Sequence, residues 1–348
     1  MIARLRSFLS SRYSRLAFGV LIAGASLYLA LRRVSFAEVT AVFLQADLWL
    51  VSAALASVAA NNVAKAVRWK TLLGQESRKV SLTWSLMVIL ASQALNTLYP
   101  ARVGDLSRVY IGGEKAPGRA FVLGTVLLEK LFDRLSYVVL FLILFLLIPL
   151  PSWVNQSVIS FVAITFGGIG LVLFLVYRLE WFMQVIDRYA HRLPGGIRSR
   201  LRSWLHSGLK SLNIFYKRGA LLAVAFWSLL VWATAVLTNH LTLLALDIRL
   251  PLTAPVLVLI LLQISMSIPA VPGRIGIFEY LCILSLAVFG IPQAPALSYG
   301  ILLHIVALLP QTLIGLLCVG ALGMDHRSAV LDEYAPTQPT PYATRNSD

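Results

Sequence analysis

Charged residues are scarce in this sequence of 348 residues. Asp, Glu, Lys and Arg together make up 13% of the chain, whereas 58% of it is hydrophobic. A soluble domain of this length needs a polar surface, and a disordered chain needs a low hydrophobic content. Both classes are therefore excluded, and the composition predicts an all-α polytopic membrane protein.

Cysteine is also rare, with two residues in the whole chain. A small secreted scaffold held by disulfides needs many more. Cys282 and Cys318 both lie inside apolar runs. This placement indicates small, buried side chains with reduced thiols.

Acidic residues are half as numerous as basic ones, 15 against 30, so the formal net charge is +15. In a soluble protein this excess would suggest nucleic-acid binding. In a membrane protein, cytoplasmic loops are rich in Lys and Arg and are attracted to anionic lipid. We therefore assign the charge to membrane orientation and expect lipid, and no nucleic acid, as the partner.

Signatures of known catalytic sites are missing from the sequence. It contains no nucleophile elbow, no zinc-ligand spacing, no kinase signature and no Walker lysine. We expect neither an enzyme nor an ATPase, and no cofactor or metal.

Apolar runs that are long enough to span a bilayer, or nearly so, predict seven to nine crossings. They lie at about 16–31, 47–67, 81–99, 121–150, 158–177, 219–241, 253–271, 276–290 and 296–321. The first run follows four arginines, as a signal peptide does, but Arg32 and Arg33 come directly after it. We interpret it as a retained helix.

Lys and Arg are concentrated in a few segments, which should face the cytoplasm. The N-terminus carries four, 65–80 carries five and 178–218 carries nine, whereas the turns at 149–157 and 290–297 carry none. Segment 100–120 is basic too, so 81–99 should begin and end on the cytoplasmic side. We expect a re-entrant hairpin there, broken near Pro100, and a second one at 253–290 from the opposite face.

Two short motifs at these breaks resemble each other. Residues 100–104 read PARVG and residues 272–276 read PGRIG, and an acid follows each, Asp105 or Glu279. Opposite-facing broken helices in corresponding halves are typical of inverted-repeat transporters, whose site lies where the breaks meet. Two unrelated proline kinks remain the alternative. The predicted structural breaks are Pro100, Gly104, Pro272, Gly273 and Gly276.

Nine charged residues lie within or beside the apolar runs. They are Arg102, Asp105, Arg108, Glu129, Lys130, Asp133, Arg134, Arg274 and Glu279. Each costs roughly 3 kcal/mol at a bilayer centre, so the set must pair or line water. On a helix Glu129 and Asp133 share one face, as do Lys130 and Arg134, so their partners should come from other segments.

The set contains five basic and four acidic residues, so pairing within it leaves one cation without an acidic partner from the set. We expect Arg102, Arg108 and Arg274 to face the acids, and Asp105 and Glu279 to face the bases. Arg is suited to a bidentate grip on phosphate, so an anionic headgroup is the expected ligand. A purely structural charge network is the alternative.

Four motifs occur in order along the chain: AVRWKTLL, NTLYPARVGDLSRVYIGG, LLEKLFDRLSYVVL and SIPAVPGRIGIFEY. With them the chain resembles the lysylphosphatidylglycerol synthase transmembrane family, a flippase-like membrane domain of the UPF0104 type that also occurs alone. The resemblance covers about residues 15–322 and implies a bundle that moves a charged or glycosylated lipid between leaflets. The substrate-binding residues expected from it and from the charges are Arg68, Asn96, Arg102, Asp105, Arg108, Glu129, Lys130, Asp133, Arg134, Arg274 and Glu279.

The sequence departs from the family pattern at two positions. Asp105 stands where the family often has Glu, and Arg274 stands where a second Gly is common. The substrate of this chain is therefore expected to differ from that of other family members. The family's soluble aminoacyl-transferring domain is not found after residue 322, so we do not expect this chain to synthesise lysyl-lipid.

Three further features lie outside this pattern. Residues 178–218 show helical apolar spacing with basic residues between, which predicts two interfacial cytoplasmic helices within a membrane domain at 1–322. The tail at 323–348 is polar and rich in proline, which indicates disorder. His240 and His304 lie in apolar runs; either could relay protons, but a packed, hydrogen-bonded His is the commoner case.

Two functions follow from the sequence. The first is a lipid translocator for an anionic, phosphate-bearing or glycosylated lipid, in a prokaryotic cytoplasmic membrane with both termini inside. The alternative is a scaffold without transport that recruits a lipid- or glycan-modifying enzyme through its basic helices. An intramembrane transferase is disfavoured, because no nucleophile or metal set accompanies the acids.

Overall fold

The computed structural model of the chain describes residues 24–31, 36–99, 103–147, 217–265 and 272–323, with a few positions between 163 and 211. Every regular element in these ranges is helical. This confirms the all-α prediction. Pro100, Arg102, most of 148–216 and the tail from 324 lie outside the described residues, and so do the predictions made for them.

Nine α-helices have described bounds. They are α1 (Phe36–Leu44), α2 (Leu48–Leu73), α3 (Leu82–Leu98), α4 (Val103–Lys115), α5 (Arg119–Leu147), α6 (Arg218–Ala245), α7 (Thr253–Ser265), α8 (Ile277–Ala287) and α9 (Gln293–Ala321). Short 3₁₀ turns lie at Gly74–Lys79 and Pro272–Arg274, and residues 24–31 are helical.

Long helices form the frame of the bundle. In the part of the chain that is described, α2 with its following turn, α6 and α9 are long and apolar enough to cross a membrane. Helix α5 has 29 residues, or about 43 Å at 1.5 Å per residue, against a hydrocarbon core of about 30 Å. Its charged residues lie between Arg119 and Arg134, and the part that follows exposes apolar side chains such as Leu146.

Local sequence explains where these helices begin and end. The carboxylate of Asp47 accepts hydrogen bonds from the first backbone amides of α2, and the hydroxyl of Ser81 does the same for α3. Both are favoured N-cap residues. Gly74, with a φ of 61°, follows the last residue of α2. A left-handed backbone of this kind is strained for residues with a Cβ.

Two pairs of short helices pack against this frame. Helix α4 packs on α3 and helix α8 packs on α7, and the four helices contain 17, 13, 13 and 11 residues in chain order. At 1.5 Å per residue the longest of these described helices measures about 25 Å, against a hydrocarbon core of about 30 Å. Paired short helices have the dimensions that a re-entrant hairpin needs, and their entry into the membrane from opposite faces stays a prediction.

The helix ends meet at two sides of the bundle. At the side we call the basic end, the last turn of α2, Val80, the start of α5 and Leu322 after α9 share one apolar cluster. At the opposite end, the Asp47 amide donates to the carbonyl of Ala245 at 2.9 Å, and Gln293 donates to the carbonyl of Ala30. The basic end carries Lys70, Arg78, Lys79, Lys115 and Arg119.

Candidate functional site

Arg68 joins α2 to two acids on α5. One terminal nitrogen lies 2.6 Å from Asp133 Oδ1 and the other 3.3 Å from Glu129 Oε1, and the Arg68 side chain is 1% exposed. The first nitrogen also donates to Ser228 Oγ on α6 at 3.3 Å. Because Glu129 and Asp133 are one helical turn apart, both carboxylates face the same guanidinium.

Arg108 brings helix α4 to the same acid. Its Nη2 lies 2.5 Å from Glu129 Oε2, so Glu129 accepts from two guanidinium groups at once. The Arg108 guanidinium also lies 4.4 Å from the ring centroid of Trp69, whose Nε1 donates to Thr125 Oγ1 at 3.3 Å. Cation–π contact over a desolvated indole adds to the ion pair in holding Arg108.

Each of these two arginines has a buried donor with no hydrogen-bond partner among the described residues. The atoms are Arg68 Nε and Arg108 Nε. A buried donor left unsatisfied costs roughly 1–3 kcal/mol. An acceptor oxygen brought by a ligand would remove that cost.

Asp105 forms a second ion pair beside the first. Lys130 Nζ lies 3.3 Å from Asp105 Oδ2. The amide of Asn96 donates to Asp105 Oδ1 at 3.1 Å, and the backbone amide of Asp105 donates back to Asn96 Oδ1 at 3.3 Å. This reciprocal pair ties the start of α4 to the last turns of α3.

Gly104 allows α3 and α4 to approach each other this closely. A Cβ at position 104 would overlap the carbonyl oxygen of Ser92 and lie 2.9 Å from the amide nitrogen of Asn96. Only glycine fits against a neighbouring backbone at this distance. The predicted break residue Gly104 is therefore a packing residue that places Asp105 and Arg108 on their partners.

Lys65 extends this set toward the middle of α2. It lies three residues before Arg68 and is within electrostatic range of Asp133 and Glu129. Its Nζ donates to Gln93 Oε1 at 3.2 Å. We use the term charge network for Lys65, Arg68, Asp105, Arg108, Glu129, Lys130 and Asp133.

Arg274 lies in the turn between α7 and α8, and this turn packs against α3. Its backbone has a φ of 57°, which residues other than glycine rarely adopt. Arg274 is within electrostatic range of the buried Tyr137 on α5, as are Arg68, Asp133 and Arg134. The structure thus places Arg274 near the face of α5 that carries the charge network.

Glu279 has a different partner from the one expected. We predicted that it would face a basic residue of the charged set. Instead Glu279 Oε1 lies 2.7 Å from His304 Nδ1 on α9, and Oε2 accepts the backbone amide of Gly276 at 2.7 Å. The cause is local, because Glu279 is the third residue of α8 and a capping box directs its carboxylate to the helix start.

The structure therefore brings most of the predicted site residues into one network and leaves a few apart. Those in or bonded to it are Arg68, Asn96, Asp105, Arg108, Glu129, Lys130 and Asp133. Arg134 and Arg274 lie near its edge at Tyr137, Glu279 forms a separate pair, and Arg102 is outside the described residues. Sequence reasoning did not place Lys65 in the site, although its spacing from Arg68 was a signal for it. His304 was named as a residue that could relay protons, but Glu279 was not predicted as its partner.

Comparisons with known proteins agree with the motifs. A family profile described as "Lysylphosphatidylglycerol synthase TM region" matches residues 16–315. A "UPF0104 membrane protein" from Methanothermobacter thermautotrophicus is 20% identical over 291 residues, which cover 77% of this chain and 83% of the relative. No solved structure matches the chain.

Proposed function

Because the chain belongs to the lysylphosphatidylglycerol synthase transmembrane family, we propose that it moves a lipid with an anionic, phosphate-bearing or glycosylated headgroup between the two leaflets. The headgroup crosses through a polar path between the long helices and the two short-helix hairpins. The acyl chains stay in the bilayer. No metal and no cofactor takes part in this proposal.

The observation that carries the proposal is the composition of the charge network. Within the described residues it contains four cations and three carboxylates. Buried charge is costly, and an interior with surplus positive charge is stabilised when an anion enters. The buried Nε donors of Arg68 and Arg108 supply hydrogen bonds to such an anion.

The position of the network suits a headgroup path. Glu129 and Asp133 lie ten and fourteen residues after Arg119, the first residue of α5. At 1.5 Å per residue they are about 15 and 21 Å along the helix axis, well inside a hydrocarbon core of about 30 Å. A phosphate bound there would be roughly halfway between the leaflets.

We propose that the basic end faces the cytoplasm. The exposed Lys79 and Arg119 lie there, whereas the described residues of the opposite end carry Asp47, Asp247 and Arg249. Cytoplasmic loops of membrane proteins are enriched in Lys and Arg.

Reconstitution of the purified full-length chain tests the proposed function. Vesicles carry fluorescent NBD-phosphatidylglycerol, and dithionite bleaches only the outer leaflet. We expect wild-type protein to speed lipid exchange several-fold over protein-free vesicles, and Arg108→Met to lose most of that gain. Glu114→Gln, an exposed acid on the same helix, is the matched control and should behave as wild type.

The paired state of the network favours the alternative function, a scaffold that binds a lipid- or glycan-modifying enzyme. Arg68, Arg108 and Lys130 all contact carboxylates, and buried pairs often serve structure alone. A scaffold needs no exchange of lipid. This alternative would be supported if vesicles with folded protein exchange lipid between leaflets at the same rate as protein-free vesicles, with anionic and with glycosylated probes.

A further inference from the structure

The pair formed by the buried Glu279 and the partly buried His304 is separate from the charge network. The side chains are 9% and 17% exposed, and Glu279 Oε1 lies 2.7 Å from His304 Nδ1. The His304 ring also lies 4.6 Å from the ring of Phe278, centroid to centroid. Imidazole gains and loses a proton in the physiological pH range, so such a pair can exist in two states that differ by one proton.

Close packing fixes the two partners. Gly300 on α9 faces the Cα of Glu279, where an added Cβ would lie 3.2 Å away. One turn beyond Gly300, His304 reaches the carboxylate. A larger residue at position 300 would separate the helices and break the contact.

The pair is connected to the break between α7 and α8. Glu279 uses its second oxygen, Oε2, to accept the amide of Gly276, which has a φ of 88° and precedes α8. Arg274 lies two residues before Gly276 in the same turn. A change of charge on the pair therefore acts on the turn that carries Arg274.

Other groups on the surrounding elements could titrate as well. They include Arg274, Tyr280 and Cys282 near Glu279 in sequence, Tyr299 and Cys318 on α9, Lys65, Arg68 and Lys70 on α2, His240 on α6 and Glu38 on α1. Helices α7 and α3 contain no titratable side chain between 253 and 265 or between 82 and 98. Tyr299 donates its hydroxyl hydrogen to Asn239 Oδ1 at 2.9 Å. Of the two groups in the pair, the imidazole is the one that can change charge near neutral pH, so His304 is the member that takes up the proton.

We propose that Glu279 and His304 form a proton-binding site that couples lipid movement to proton movement. This rests on the translocator function proposed above. With neutral imidazole the pair carries one negative charge, and one proton taken up at the imidazole leaves a neutral ion pair. The neutral form repels an anionic headgroup less, so proton uptake and headgroup entry favour each other, and the linkage is reciprocal.

The first experiment measures coupling in vesicles that contain NBD-phosphatidylglycerol and an internal pH dye. For wild-type protein we expect an inward proton gradient to speed lipid movement several-fold and to acidify the interior. His304→Asn and Glu279→Gln should abolish both effects. His240→Asn, another histidine of an apolar helix, is the matched control and should keep them.

The second experiment needs no transport. The chain contains five histidines, so isotope-labelled protein in detergent gives few imidazole NMR signals, and His304→Asn assigns one of them by its loss. For a proton-binding site we expect the chemical shift of that signal to change with pH over the range in which the protein stays folded. Glu279→Gln should change that response, because it removes the negative charge 2.7 Å from His304 Nδ1.

The outcomes separate the two proposals. If wild-type protein moves lipid at the same rate with and without the gradient and takes up no protons, the proton site is refuted and the translocator function stands. A His304 signal that does not change with pH refutes the proton site by itself. If folded protein moves no lipid probe at any pH, the proposed function fails and its coupling with it.

Discussion

Glu129 is the residue on which the stability of the charge network depends most. Its two oxygens contact Arg108 at 2.5 Å and Arg68 at 3.3 Å, and its side chain is 7% exposed. Removing one member of a buried ion pair costs roughly 3–5 kcal/mol, because the remaining charge stays buried. Glutamine keeps one acceptor oxygen, so we expect Glu129→Gln to cost about 3 kcal/mol.

A double-mutant cycle isolates the contact with Arg108. We expect Arg108→Met to cost a similar amount, about 3 kcal/mol. The double variant should be more stable than the sum of the single effects by about 2 kcal/mol, because it leaves no unpaired charge at this contact. The assay is equilibrium unfolding in mixed detergent micelles with rising dodecyl sulfate, followed by tryptophan fluorescence, since Trp69 packs on Arg108.

A matched control keeps this result specific. Glu114→Gln makes the same chemical change at an exposed site of α4 and should stay within about 0.5 kcal/mol of wild type. If Glu129→Gln also stays within that range and the coupling energy is zero, the carboxylate is solvated and the buried-network argument is wrong.

Three further predictions concern the breaks. Gly104→Ala should strongly destabilise the protein, because the added Cβ meets the backbone of α3. Gly320→Ala, with open space around it, is the control and should unfold at the same detergent concentration as wild type. Equal stability of both variants would contradict the close packing. Arg274→Gly should raise stability by about 1 kcal/mol, because it relieves a left-handed backbone, and should lower lipid movement, because it removes the cation. Arg274→Lys should lower lipid movement but keep the fold. Full activity of Arg274→Gly would show that the cation is not a ligand group. A cysteine at position 274, tested with single cysteines along α3, should form a disulfide on oxidation with at least one of them, as the packing of the 272–274 turn on α3 implies. If none of these pairs cross-links, that packing is contradicted, and with it the meeting of the two breaks that an inverted repeat requires.

Local chemistry made much of the fold predictable. Apolar runs predicted α3, α5, α6 and α9 to within a few residues. Helix α2 continues to Leu73, six residues beyond the predicted end of its run at 67. Helix α7 is described from Thr253 to Ser265, inside the predicted run at 253–271, whose last residues lie outside the described part of the chain. Helix ends depend on caps and on packing, and an apolar run alone specifies neither.

The charged residues show the limit of sequence reasoning most clearly. The sequence showed that Glu129 and Asp133 share a helix face, because that depends on the pitch of one helix. It did not show that Arg68, about sixty positions earlier, lies opposite that face. Such a pairing depends on which helices pack together and on their relative positions along the helix axes.

The sequence by itself determined the membrane class, the helical segments, the family motifs and the presence of buried charge, since each follows from composition or from neighbours along the chain. Only the tertiary structure decided which charges meet. It placed Glu279 on His304, and not on a basic residue of the charged set, because the capping geometry of α8 and the small Gly300 on α9 bring those two side chains together. Partner choice at long sequence separation is set by helix packing, and helix packing is a property of the whole bundle.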